Sequence, residues 1–202
     1  MGFGFKHALY RPVEELDNPP EDVKYACGQR TAEWVRSIAI PNEAHVSFVL
    51  TSERDESVVV LGLTPHVRKL PDTAMNATVS TCTGGNGIVT RHADLVVDST
   101  EQPTFRFTDE RGRKVERLRL NLSKGGAVDF HVTSRAESPG VYEWTADLEL
   151  LVGGEPKSIS ITNEGKPFKI SGPVRGKPEI NMVDRLPDDN GYCLSHPDGR
   201  SC

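Results

Sequence analysis

From His45 onward, apolar and polar residues alternate with a period of two, the spacing of a strand with one dry and one wet face. The most regular run is "YEWTADLELLVGG". It sets Tyr142, Trp144, Ala146, Leu148, Leu150 and Val152 against Glu143, Thr145, Asp147 and Glu149, then breaks on paired glycines. "HVSFVL", "ADLVVD", "TFRFT", "RLRLNL", "AVDFHV" and "SISI" repeat the pattern, and "SVVVLGL" is apolar enough for a central strand. Turn-forming segments such as "SERDE", "DERGRK", "SKGG", "AESPG" and "NEGKP" separate the runs. Short alternating strands at even spacing predict a mainly β fold, an antiparallel two-sheet β-sandwich of immunoglobulin-like type.

The flanks read differently. Residues 1–22 contain "DNPPEDV", whose adjacent prolines exclude a helix interior or a central strand, so an extended lead-in is expected. Residues 29–39, "QRTAEWVRSIA", carry an apolar stripe of Ala32, Val35 and Ala39 at helical spacing, and "IPNE" ends it. This predicts one short N-terminal helix at the start of a domain spanning residues 23–170. Beyond "GKPF" the alternation stops, and residues 171–202 are expected to be an irregular tail.

The chain has 202 residues and a net charge of −5. That length supports a substantial core, and the acidic balance argues against a nucleic-acid partner. No apolar run approaches the roughly 18 residues of a membrane-spanning helix, so no transmembrane segment is expected in this chain.

The four cysteines are Cys27, Cys82, Cys193 and Cys202. They lack the close C-x-x-C spacing of zinc and redox sites, and three disulfide pairings are open to them. Cys193 and Cys202 bracket a Pro-Asp-Gly turn, which favours a local loop and leaves Cys27 for Cys82. Bridges of this kind imply an oxidising compartment.

Candidate chemistry is sparse. "TCTGGNG" lacks the Lys and the following helix of a phosphate loop and reads as a turn between strands. His92 with Asp94, and Asp129 with His131, share strand faces in a way that suits a metal or a general base. Phe130 and Val132 point inward on their strand, however, which sends Asp129 and His131 to solvent. No nucleophile elbow is present. Catalytic residues, metals and cofactors are therefore not expected. Arg113, Arg117 and Arg119 in "RGRKVERLRL" should share the outer face of one strand, as a patch for an anionic partner or as charges balanced by Asp147 and Glu149. Asn76 and Asn121 sit in glycosylation sequons, which matter only in a eukaryotic secretory pathway.

Several of these features occur together in one order: Cys27 followed by Trp34, Cys82 followed by "TGGNG", and a late "YEW…L.LLVGG…I.I…GKPF" block. Over roughly residues 20–170 this order resembles a group of poorly characterised actinobacterial extracytoplasmic domains. The resemblance implies a domain behind a single membrane anchor, in some members behind a cytoplasmic DNA-binding helix-turn-helix. It implies no catalytic residues. The expected function is a non-catalytic interaction or sensor module of the bacterial cell envelope, with a protein or anionic envelope partner. The alternative is a hydrolase or metal-dependent enzyme on the same scaffold.

Overall fold

The computed structural model describes residues 5–9, 34–35, 37–53, 55–71, 75–81, 92–99, 102–109, 111–115, 118–176, 179–181 and 193–195. Strands dominate them. In chain order they are β1 (Phe5–Leu9), β2 (Ala39–Pro41), β3 (Glu43–Thr51), β4 (Val58–Lys69), β5 (Ala77–Thr81), β6 (His92–Val96), β7 (Phe105–Thr108), β8 (Lys114–Val115), β9 (Leu120–Leu122), β10 (Ala127–Arg135), β11 (Val141–Val152), β12 (Glu155–Ile161), β13 (Phe168–Ser171), β14 (Glu179–Asn181) and β15 (Cys193–Ser195).

They form three sheets, not the two expected. Sheet I runs β15-β14-β5-β1-β2, sheet II runs β3-β10-β6-β7-β8, and sheet III runs β12-β11-β4-β9 with β13 also paired to β11. Nor is the pairing purely antiparallel, because β10 pairs β6, and β14 pairs β5, in parallel. The lead-in and the tail both hold strands of sheet I, namely β1, β14 and β15. The expected helix rests mostly on residues 29–33 and 36, outside the described residues. Trp34, Val35, Ser37 and Ile38 have helical backbone, but Ala39 already opens β2. Cys27, Cys82, Cys202 and the "CTGGNG" turn also lie outside the described residues, as does the side chain of Cys193.

Sheets II and III face each other in a sandwich-like arrangement over one core. Sheet II contributes Ala93, Leu95, Phe105, Phe130 and Val132, and sheet III contributes Val58, Val60, Leu63, Tyr142, Trp144, Ala146, Leu148 and Leu150. Phe48 stacks on Phe130 within sheet II at 5.0 Å. Phe105 meets Trp144 edge-on across the gap at 6.2 Å, and Phe168 stacks on the same indole at 4.5 Å. Among the described residues the indole N–H has no acceptor, and the ring works through apolar packing and its aromatic neighbours.

Two local devices fit the sequence to this core. Strand β11 turns into β12 at Gly153 and Gly154, with φ of 61° and 88°, the left-handed pair that a two-residue hairpin requires. Strand β4 carries a bulge: Leu150 faces Val60 while Glu149 faces Gly62, so Leu61 is the extra residue. The bulge switches the phase of alternation. Val58 and Val60 before it, and Leu63 and Val67 after it, all reach the dry face, while Leu61 is left exposed. Pro65 follows in the same strand. Strand β9 pairs only Val58–Val60, so among the described residues β4 has no partner on that side at Pro65, and a residue without an N–H is tolerated.

The β10–β11 connection is clamped from two sides. Asp98 accepts hydrogen bonds from the backbone N–H groups of Glu137, at 2.9 and 3.1 Å, and of Ser138. Gly172 donates its N–H to the carbonyl of Gly140 at 2.8 Å. Partial burial pushes the Asp98 carboxyl up, but the hydrogen bonds from Glu137 and Ser138 together hold it below the usual range. A carboxyl lowered in the folded state contributes stability that is complete above its unfolded value, about 3.9, and is lost as pH falls through the lower folded value. Asp98→Ala should therefore cost about 1–2 kcal/mol at neutral pH, given partial solvent screening. The gap to the parent should narrow on acidification below about pH 4. Urea titrations at several pH values check this, and a pH-independent gap would remove the carboxylate's role.

Candidate functional site

The alternation that sends Phe130 and Val132 inward sends Asp129, His131 and Thr133 to the outer face of sheet II. The neighbouring strands do the same with His45 and Ser47 on β3 and with His92 and Asp94 on β6. Strand register then decides which of these meet. Ser47, His131, His92, Thr108 and Lys114 form one row across all five strands. His45, Thr133, Asp94 and Arg106 form the next.

Within the first row, Ser47 Oγ lies 3.0 Å from His131 Nδ1, and the rings of His131 and His92 are 6.2 Å apart. His131 Nε2 lies 3.4 Å from Asp129 Oδ2. In the second row, His45 Nδ1 lies 3.3 Å from Thr133 Oγ1, and His45 Nε2 lies 2.9 Å from Glu43. The expected solvent-facing direction of Asp129 and His131 holds, although the His131 side chain is only 25% exposed. Sequence pairs His92 with Asp94 and Asp129 with His131. It does not show that His92 and His131 are neighbours, because that contact arises from pairing between strands.

Beside this row, at the β7–β8 end of sheet II, is a cleft of about 140 Å³. Phe107, Val115, Leu118 and Leu120 line its apolar part, and His92, Thr108, Asp109 and Arg119 supply polar groups. Of the three arginines singled out in the sequence, Arg113 and Arg119 do not share a strand face here. Arg113 belongs to the turn between β7 and β8, in sheet II, whereas Arg119 precedes β9, in sheet III. The chain crosses between the sheets from Val115 to Leu120, with Leu118 buried on the way at 5% exposure. Arg117 lies outside the described residues.

The counter-charge also differs from expectation. Asp109, not Asp147 or Glu149, balances Arg113. Its carboxylate accepts from the Arg113 backbone N–H at 2.9 Å, Nε at 2.8 Å and Nη2 at 2.7 Å, and from the Arg111 N–H at 2.9 Å. The Arg113 backbone and side-chain hydrogen bonds hold Asp109 below the usual carboxylate range. Arg119 is exposed and makes no hydrogen bond or ion pair with a described residue.

The outer face of sheet III provides the contrast, because its charges compensate one another. His66 meets Asp147 at 2.9 Å, Thr64 donates to Glu149, and Glu143 is held by Arg68 at 2.5 Å and Lys169 at 3.4 Å. The hydrogen bond from Arg68 is the main reason the Glu143 carboxyl lies below its ordinary value. A shallow depression of about 220 Å³ over this face is lined by His66, Arg68 and Glu143 from these pairs, with Val67, Trp144, Thr145 and Pro167.

Among the described residues, no helix is long and apolar enough to cross a membrane. The chain matches no protein-family model, no curated protein and no solved structure.

Proposed function

We propose that this chain is a non-catalytic recognition module that binds an anionic partner at the cleft bordered by Arg119 and His92. The observation that carries this is a small apolar cleft ending at an arginine with no counter-ion among the described residues. At about 140 Å³ the cleft is well below the roughly 300–1,000 Å³ of small-molecule sites. Such a cleft takes one side chain or headgroup of a larger molecule, and the free guanidinium selects for negative charge. Acidic protein segments and anionic envelope polymers have that chemistry. Cysteine usage and the resemblance to actinobacterial extracytoplasmic domains support placement in the cell envelope. The two facing sheets support an immunoglobulin-like reading of the scaffold.

Labelled poly-glutamate is a suitable probe, followed by fluorescence anisotropy at low and physiological salt. Arg119→Ser should weaken binding about tenfold, the equivalent of about 1.4 kcal/mol. Arg113→Ser should matter less, because Asp109 already holds that guanidinium. Added salt should weaken binding, since exposed charges are screened beyond about 8 Å at physiological ionic strength. Binding that ignores both Arg119→Ser and salt would dispose of the proposal.

The hydrolase alternative has one observation in its favour, the order Ser47, His131, Asp129 along a chain of polar contacts. These residues lie on a sheet face and do not line the cleft.

A further inference from the structure

We infer that Asp129, His131 and His92 form a seat for a divalent transition metal of the zinc class on the outer face of sheet II. The argument starts from His131. Ser47 Oγ at 3.0 Å is placed to accept the Nδ1–H, which leaves Nε2 with its lone pair free. Holding one imidazole nitrogen through a hydrogen bond while the other binds metal is how ligating histidines are oriented. The free Nε2 then faces the carboxylate oxygen of Asp129 at 3.4 Å. In that tautomer two acceptors confront each other, an arrangement that a cation between them relieves.

The spacing suits such a cation. A distance of 3.4 Å is long for an N–H···O hydrogen bond, whose usual range is about 2.7–3.2 Å. It matches two ligands on one tetrahedral zinc, which bonds of about 2.0–2.1 Å place about 3.3–3.4 Å apart. His92 supplies the third ligand. Its ring is 6.2 Å from that of His131, it is exposed, and it makes no hydrogen bond with a described residue, so it is free to turn. That rotation is required: as the side chains stand, no three His, Cys, Asp or Glu groups among the described residues are disposed to hold a metal. Two imidazoles and one carboxylate are a ligand set suited to zinc, with the remaining position left to water. The seat adjoins the proposed binding cleft and shares His92 with it, whereas His131 and Asp129 do not line the cleft and Arg119 takes no part in the seat.

The test is calorimetric titration of Zn²⁺ and of Ni²⁺ into the untagged full chain, with His66→Ala as reference. The parent and His66→Ala should bind a saturable equivalent alike. His131→Ala should abolish that equivalent, and His92→Ala and Asp129→Ala should each weaken it about tenfold or more. Ser47→Ala should weaken it about tenfold, the usual effect of removing an outer hydrogen-bond partner. Arg119→Ser should leave metal binding unchanged, which separates this seat from the anion cleft. Because His92 is exposed, His92→Ala keeps the test valid even if His131→Ala misfolds. Absence of saturable binding would overturn the assignment, as would binding that persists undiminished in both histidine variants.

Discussion

Leu148→Asp should leave the chain without a cooperative unfolding transition. Leu148 is 1% exposed in the middle of β11, paired with Leu63 on one side and Ile159 on the other. A carboxylate there loses its hydration and meets only apolar neighbours of the core between sheets II and III. It either stays charged and unpaired, or it takes up a proton and still buries an unsatisfied polar group. Both routes cost several kcal/mol, against a total stability of about 5–15 kcal/mol for a typical domain. Ile159→Asp is the matched control, because that side chain occupies the facing position on β12 yet is 44% exposed. It should shift stability by no more than about 0.5 kcal/mol. Thermal melts followed by circular dichroism distinguish the two, and a Leu148→Asp melt that overlays the parent would refute the packing described for β11.

Gly172→Ala should destabilise the protein by about 4 kcal/mol or more, at the severe end of single substitutions. A Cβ at this position would lie 1.7 Å from the carbonyl oxygen of Ser138, 2.6 Å from its carbon and 3.1 Å from Pro139 Cα. All three are backbone atoms, so no side chain can swing aside. The loop cannot retreat cheaply either, since Asp98 grips Glu137 and Ser138 while the Gly172 N–H holds Gly140. On the other flank, Asn42 Nδ2 donates to the Gly172 carbonyl at 3.1 Å. Gly62→Ala should behave in the opposite way. Nothing lies within 4 Å of a Cβ built there, and alanine is favoured over glycine within a strand by about 0.5–1 kcal/mol. Urea midpoints of the two variants should fall on opposite sides of the parent. A Gly172→Ala midpoint at or above the parent's would show that the close approach to Ser138 is not a constraint.

The legible part of this fold is the part written within single strands. The alternation of Tyr142 to Val152 and its stop at Gly153 and Gly154 need no partner to be read, and β11 with its hairpin follows. The same holds for Phe130 and Val132 against Asp129 and His131. What escaped the sequence depends on relations between strands. The bulge at Leu61 changes the phase of alternation midway along β4, so "TPHVRK" did not read as its continuation. The alternation of "KVERLRLNL" runs through two strands of different sheets, which is why Arg113 and Arg119 were expected on one face. Strands β1, β14 and β15 are short, and the latter two lie in a Pro- and Gly-rich stretch. Pairing in sheet I, not periodicity, makes them strands. The row of Ser47, His131 and His92 is the functional case of the same rule. His92 and His131 were visible as candidates and Ser47 was not, and their meeting is set by the register of β10 on β3 and on β6.

That position of β10, between β3 on one side and β6 on the other, also has a kinetic consequence. The contact of Ser47 with His131 spans 84 residues of chain, and that of Thr64 with Glu149 spans 85. Loops of this size must close before sheet II gains its β3–β10 pairing and sheet III its central β4–β11 pairing, and the entropy is lost before the contacts reward it. The β11–β12 hairpin can form early, because Gly153 and Gly154 close it locally. Nearby β13 can add to it at Val141–Trp144, but the longer edge of β11 stays open until β4 arrives from the other half of the chain. Folding of this protein is therefore governed by the late docking of β3 and β4 onto β10 and β11, on the millisecond-to-second scale typical of β topologies with distant pairings. Until that docking is complete, the unpaired sides of β10 and β11 are the surfaces most open to association with another chain.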